Sequence, residues 1–189
     1  MSRSKRLYTK FGDSGETSLL YGGRVSKADA HCEAYGATDE TCSALGLARA
    51  LSSDQRVRGI LERVQRDLFQ VGAELATDPD KYESFRLHFE PVSSEITVQL
   101  ENLVDDLQSE VSLPRSFIIP GASAPSAAID LARTTVRRAE REAVKLELSG
   151  RLSNKEILKY LNRLGDLLFI LARYQDRELP MEKLTEDGI

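Results

Sequence analysis

Two cysteines and two histidines in 189 residues leave little material for several kinds of chemistry. Cys32 and Cys42 fall on one predicted helix at a separation of about 15 Å, too far to pair with each other. Unpaired thiols suit a reducing cytosol, and neither has the His or Cys company of a metal site or an activated nucleophile. His31 and His88 are likewise isolated, so no metal site is expected. Long apolar runs are also missing: the longest, residues 164–172, is interrupted by Gly165 and Asp166 and falls well short of the roughly 20 residues of a membrane span. The net charge of -4 comes without a basic patch interleaved with aromatics, so neither nucleic acid nor membrane is expected as a partner. Met1 to Arg6 is basic but has no apolar core or cleavage pattern. Because the first informative motif begins at Tyr8, no transit peptide is expected and the cytoplasm is the expected location.

What is present points to helices. Hydrophobic residues make up 41% and charged residues 30%, a mixture typical of soluble helical proteins, and the length suits one domain. A Gly-rich loop over residues 1–27, a bundle over 28–175 and a tail over 176–189 are the expected parts. Apolar spacing predicts helices near residues 29–51, 54–75, 93–109, 123–148 and 153–174. Gly36 and Gly46 within the first suggest close packing against a neighbour. Residues 79–91 lack a clean period and read as a loop. In the last helix Ile157, Leu158, Leu161, Leu164, Leu168 and Leu171 share a face that Leu167 and Ile170 widen, a breadth that suggests burial against both the bundle and another subunit. Ser153 to Glu156 reads as a capping box opening that helix. No alternating strand pattern stands out, so the fold class is all-α, an antiparallel five-helix bundle preceded by the Gly-rich loop.

Two stretches carry candidate chemistry. Within residues 123–148, Arg133, Arg137 and Glu140 share one stripe with Asp130 and Arg141 beside it, opposite an apolar face of Ala128, Ala132, Val136, Ala139, Ala143 and Leu146. Arginines on such a rigid base suit phosphate groups. Taken alone, the helix reads first as a solvated face, since Asp130/Arg133 and Arg138/Glu142 are ordinary helix-surface pairs. The second stretch, residues 9–23, holds four glycines. Its N–H groups could turn toward an anion, with Lys10, Thr17 and Ser18 adding donors, or it could be a plain ordered arm. It matches neither the Gly-x4-Gly-Lys-Ser/Thr loop nor a dinucleotide fingerprint.

The motifs are more specific in combination. Tyr8-Thr9-Lys10-x-Gly12-Asp13-x-Gly15-x-Thr17-Ser18, Arg24-Val25-x-Lys27, Glu33-Ala34-Tyr35-Gly36-x-Thr38-Asp39-Glu40, Phe117-Ile118-Ile119-Pro120-Gly121, Arg133-x3-Arg137-Arg138-Ala139-Glu140-Arg141 and Tyr160-Leu161-Asn162-Arg163-Leu164-x-Asp166 follow in this order. Together they resemble the PduO-type ATP:cob(I)alamin adenosyltransferase family. The resemblance implies a homotrimer with intersubunit active sites that moves the adenosyl group of ATP, with Mg²⁺, to the cobalt of a reduced corrinoid and releases triphosphate. A flavoprotein reductase and a cobalamin-dependent enzyme are the further partners it brings into view. It places nucleotide contacts at Thr9, Lys10, Phe11, Gly12, Thr17, Ser18, Lys27, Arg137, Arg138, Glu140, Arg141 and Asn162. It makes Asp39 and Arg133 an intersubunit salt bridge near the corrinoid, and puts Phe117 against the corrinoid's lower face. Departures from the family pattern fall at Ala122, at Thr41 and Cys42, and at Gly165. The rival readings are a non-catalytic bundle that binds ATP or a corrinoid as a sensor or delivery protein, and a purely structural helical oligomer.

Overall fold

Acidic and hydroxyl side chains cap three of the long helices of the computed structural model, which describes Tyr8 and residues 10–184. Thr9, the basic stretch Met1 to Arg6 and the end of the tail lie outside the described residues. A short antiparallel pair, β1 (Glu16–Ser18) and β2 (Arg24–Ser26), precedes α1 (Ala30–Leu51) and α2 (Gln55–Leu75). A one-turn 3-10 segment leads into α3 (Tyr82–Arg86), followed by α4 (Ser94–Ser109), α5 (Ala124–Leu148) and α6 (Glu156–Gln175). The Asp29 carboxylate accepts the His31 N–H at 2.9 Å, and Asp54 does the same for Arg56 and Val57. Ser123 caps α5 in a reciprocal box with Ser126, and Pro125 sits in the first turn, where its missing N–H costs nothing.

Cross-links between helix ends set the directions. Arg151, just past α5, bonds Asp29 at the start of α1; Arg173, near the end of α6, bonds Asp130 near the start of α5. Gln65 of α2 reaches back to the Cys42 carbonyl of α1 at 3.0 Å. The five long helices therefore alternate in direction along the chain, with α1 packed on α2 and α5, and α6 on α5 and α4. No described helix is long and apolar enough to cross a membrane.

The core centres on α6. Ile157, Leu161, Leu164, Leu167, Leu168, Ile170 and Leu171 are each at most 2% exposed within one chain. At about 1.5–3 kcal/mol per fully buried aliphatic side chain, this face is a main source of the fold's stability. The breadth of α6 is thus consumed by α5, α4 and α2 of its own chain, and the expected second-subunit contact on that helix is not needed to explain it. The alanine face of α5 is buried as its spacing predicts, which lets α1 and α6 approach closely.

Local expectations fail in five places. The stretch read as a loop at 79–91 contains α3, five residues long and so too short to display a 3.6-residue period, anchored by Phe85 at 0% exposure. The all-α, loop-only N-terminus holds the β1–β2 pair, whose three-residue strands are too short to alternate visibly. The Ser153 capping box is not formed: Asn154 accepts the Glu156 N–H at 3.0 Å, while Glu156 turns to Lys159. Among the described residues nothing lies within 4 Å of where a Gly36 Cβ would stand, so Gly36 marks no close packing there, whereas Gly46 has Gln65 Nε2 at 3.2 Å from that point. Arg138 does not pair with Glu142; it crosses to Glu40 of α1, and Glu142 takes Lys145.

Candidate functional site

Residues 10–27 form a turn followed by the β1–β2 pair. Lys10 and Gly15 take left-handed backbone angles, φ 65 and 80, and the Asp13 N–H closes a turn on the Lys10 carbonyl at 3.2 Å. The Lys27 N–H donates to the Gly15 carbonyl at 2.9 Å, and Lys27 Nζ lies 3.0 Å from where a Gly12 Cβ would be. A side chain at position 12 would push that ammonium away, so Gly12 and Lys27 belong to one arrangement. Arg24 fixes the loop from beneath through the Phe11 carbonyl, 2.7 Å, and Glu16, 3.2 Å. The Phe11 ring is 75% exposed, and Lys10, Ser18 and Lys27 are exposed too. Thr17 faces the Tyr35 hydroxyl; burial, then the hydrogen bond to Cys32, push that phenol up to about 12.

The second cluster lies where α5 meets α6. Asn162 donates to Glu140 at 3.0 Å, and the stem of Arg137 passes Gly165, its Cγ 4.0 Å from where a Gly165 Cβ would stand, an ordinary contact distance. Arg137 and Arg141 are exposed and make no ion pair among the described residues. Arg138 is engaged by Glu40, both about half exposed. A shallow groove of about 230 Å³ beside that pair, lined by Cys32, Gly36, Ala37 and Glu142 among others, separates α1 from α5. Among the described residues no hydrogen bond or ion pair joins residues 10–27 to Arg137, Glu140, Arg141 or Asn162.

The remaining candidates are apart from both. Asp39 is exposed on the wall of an apolar groove of about 440 Å³ between α1 and α2, beside Phe69, which is 70% exposed. Arg133 does not meet Asp39 within the chain; its Nε donates to Asp130 Oδ1 at 3.0 Å. Asp130 is gripped again by Arg173, 2.8 and 2.9 Å, itself stacked 4.6 Å from the Phe169 ring centroid. Phe117 is 69% exposed on the loop before α5, between Pro114 and Pro120.

Sequence reasoning missed Arg173 and the pairing of Glu40 with Arg138. Arg173 stands 43 positions from its carboxylate and looks like an ordinary last-turn cation. No local pattern marks it, since its partner is on another helix.

Residues 7–175 match the family model described as cobalamin adenosyltransferase. The chain is 39% identical over 173 residues to the corrinoid adenosyltransferase PduO of Salmonella typhimurium, covering 91% of this chain but spanning only 50% of that relative's length. It is 39% identical over 176 residues to a corrinoid adenosyltransferase of Mycobacterium leprae, covering 89% of this chain and 90% of the other. A variant of a PduO-type ATP:corrinoid adenosyltransferase from Lactobacillus reuteri, solved in complex with cobalamin and ATP, aligns with a TM-score of 0.87 at 33% identity, over 96% of this chain and 100% of that one.

Proposed function

Since the chain belongs to the cobalamin adenosyltransferase family, we propose that it transfers the 5′-deoxyadenosyl group of ATP to the cobalt of a reduced corrinoid. The observation that carries this reading is the pair of unneutralised arginines, Arg137 and Arg141, beside the Glu140–Asn162 contact on facing helices. In this reaction the cobalt(I) electron pair attacks C5′, the C5′–O bond breaks, and triphosphate leaves with the bonding electrons. The leaving group gains charge as it departs, which is where preorganised cations are most effective. Arg137, Arg138 and Arg141 meet it from one side; Lys10 and Lys27 meet it from the other, with the backbone at Phe11 and Gly12 and the hydroxyls of Thr17 and Ser18 closing around the phosphates. Thr9, outside the described residues, is a further nucleotide contact in this reading. Glu140 and Asn162 orient the nucleoside, and holding C5′ in line with cobalt is the protein's chief task. The nucleophile is the substrate's own metal, so no activated side chain is required.

Among the described residues no three His, Cys, Asp or Glu side chains cluster as a metal site. Mg²⁺ accompanies the triphosphate in this reading, where it would be held by phosphate oxygens and neutralise charge. Lys10 and Lys27, like Arg137 and Arg141, are exposed, so both sets are open to a neighbouring copy, and the assembly is a homotrimer of five-helix bundles in which the loop of one subunit closes over the arginines of the next. Asp39 and Arg133 then pair across the same interface, Arg133 keeping its hold on Asp130, and Phe117 stands under the corrinoid as an apolar lower face. A flavoprotein reductase supplies the electron and a cobalamin-dependent enzyme receives the product, all in the cytoplasm.

The test is an anaerobic visible-absorbance assay of the purified protein with ATP, Mg²⁺ and chemically reduced cob(I)alamin, beside Arg137→Ala. Formation of adenosylcobalamin that collapses in the variant is the expected result. Binding of ATP and corrinoid without turnover would assign a sensor or delivery protein instead.

A further inference from the structure

After α6 the chain turns, Leu179 N–H to Asp176 carbonyl at 2.8 Å, and runs back along the Phe117 loop. Ile118 and Lys183 face each other as an antiparallel bridge. The Ile119 N–H donates to the Glu182 carbonyl and the Leu184 N–H to the Phe117 carbonyl, both at 2.9 Å. Met181 packs against the core, and the seam between Met181, Glu182, Ile118 and Ile119 leaves a cavity of only about 20 Å³, room for one water. The loop's other end is tied to the same turn, for Ser123 Oγ donates to Asp176 at 2.5 Å.

The Phe117 ring is largely in solvent, so side-chain packing does not fix its position; the backbone does. The family match ends at residue 175, before this segment begins. We propose that residues 181–184 are a positioning strap, whose two backbone hydrogen bonds hold Phe117 where its ring meets the lower face of the corrinoid. The inference rests on the placement of Phe117 given above. Loss of the strap leaves the phosphate contacts intact and lets the ring wander, and misplacement of about 1 Å is enough to slow a positioned reaction by up to about 100-fold.

Leu184→Pro removes one of the two N–H donors while keeping the segment; Leu184→Ala keeps the donor. Both are compared with wild type, Phe117→Ala and a chain ending at Pro180. The readouts are kcat, ATP Kd, Tm and the visible spectrum of cob(II)alamin bound with ATP, which reports loss of its lower ligand. The expected result is a roughly tenfold lower kcat and a smaller lower-ligand-free fraction for Leu184→Pro and the shortened chain. ATP Kd and Tm of Leu184→Pro should stay at the values of Leu184→Ala, which matches wild type. A wild-type spectrum and kcat in both Leu184→Pro and the shortened chain would overturn the strap. So would a fall of ATP affinity and Tm in step with kcat, which marks a general fold contact. If Phe117→Ala itself keeps the wild-type spectrum, the placement of Phe117 fails and the strap's role fails with it; if Phe117→Ala loses it and Leu184→Pro does not, only the strap fails.

Discussion

Two regions of α5 use the same residue type for opposite ends. In its first half Arg133 is drawn to Asp130, which Arg173 of α6 grips from the other side, with both partners of that second pair about 5% exposed. One turn later Arg137 and, after it, Arg141 stand in solvent with no ion pair among the described residues. A buried guanidinium needs its carboxylate to offset lost hydration, whereas an exposed one on a rigid alanine-backed helix is free to take an anionic ligand. Position against the core, more than residue type, separates an arginine that holds the fold from one left open to solvent.

The comparison breaks first at its buried end. Asp130→Ala leaves Arg173 without its partner and should cost about 3–5 kcal/mol, lowering Tm by about 10 °C by calorimetry for a domain of this size. Replacing both residues with leucine and methionine should recover most of that loss. At the exposed end Arg137→Ala should cut kcat/KM by about 100-fold or more, while Tm moves by no more than about 2 °C.

Asp29 and Arg151 are the intermediate case, 20% and 38% exposed. Burial pushes the Asp29 carboxyl up, but the His31 N–H and the Arg151 guanidinium outweigh it and hold the group below its ordinary value. Its stabilisation is therefore fully present above the ordinary carboxylate pKa of about 3.9 and is lost as pH falls through the depressed folded value. Asp29→Ala should cost about 1 kcal/mol near neutral pH, and the gap between variant and wild type in urea titrations should close in acid. Smallest is Glu40→Ala, which releases Arg138 from a half-exposed pair. Urea melts should show a loss below about 1 kcal/mol.

The same contrast explains what could be read from the chain. α2, α5 and α6 repeat their apolar positions over 20 or more residues, and each lies where the period puts it, with Asp54 and Ser123 as visible starts. α3 and the β1–β2 pair are too short for any period to build up. Asp130 was legible as the neighbour of Arg133, three positions away, but its bond to Arg173 is a tertiary fact with no local trace. Likewise the spacing of Arg138 from Glu142 suggests a pair, yet Glu40 of another helix wins. Gly12 beside Lys27, and Glu140 beside Asn162, are juxtapositions that no local pattern contains; the family resemblance names all four residues as nucleotide contacts without pairing them. The strap at 181–184 was least visible, because backbone-to-backbone bonds leave no side-chain signature.

The central claim is that each chain carries two incomplete cation clusters which a second copy joins. Lys27→Ala disables one cluster and Arg137→Ala the other, so each variant alone should be nearly inactive. The decisive measurement is adenosyl transfer by oligomers refolded from an equal mixture of the two variants. If sites form between chains, about a quarter of them combine an intact loop with intact arginines, and activity should return to roughly a quarter of wild type. A mixture no more active than its parents would contradict the claim and place both clusters of each site on one chain.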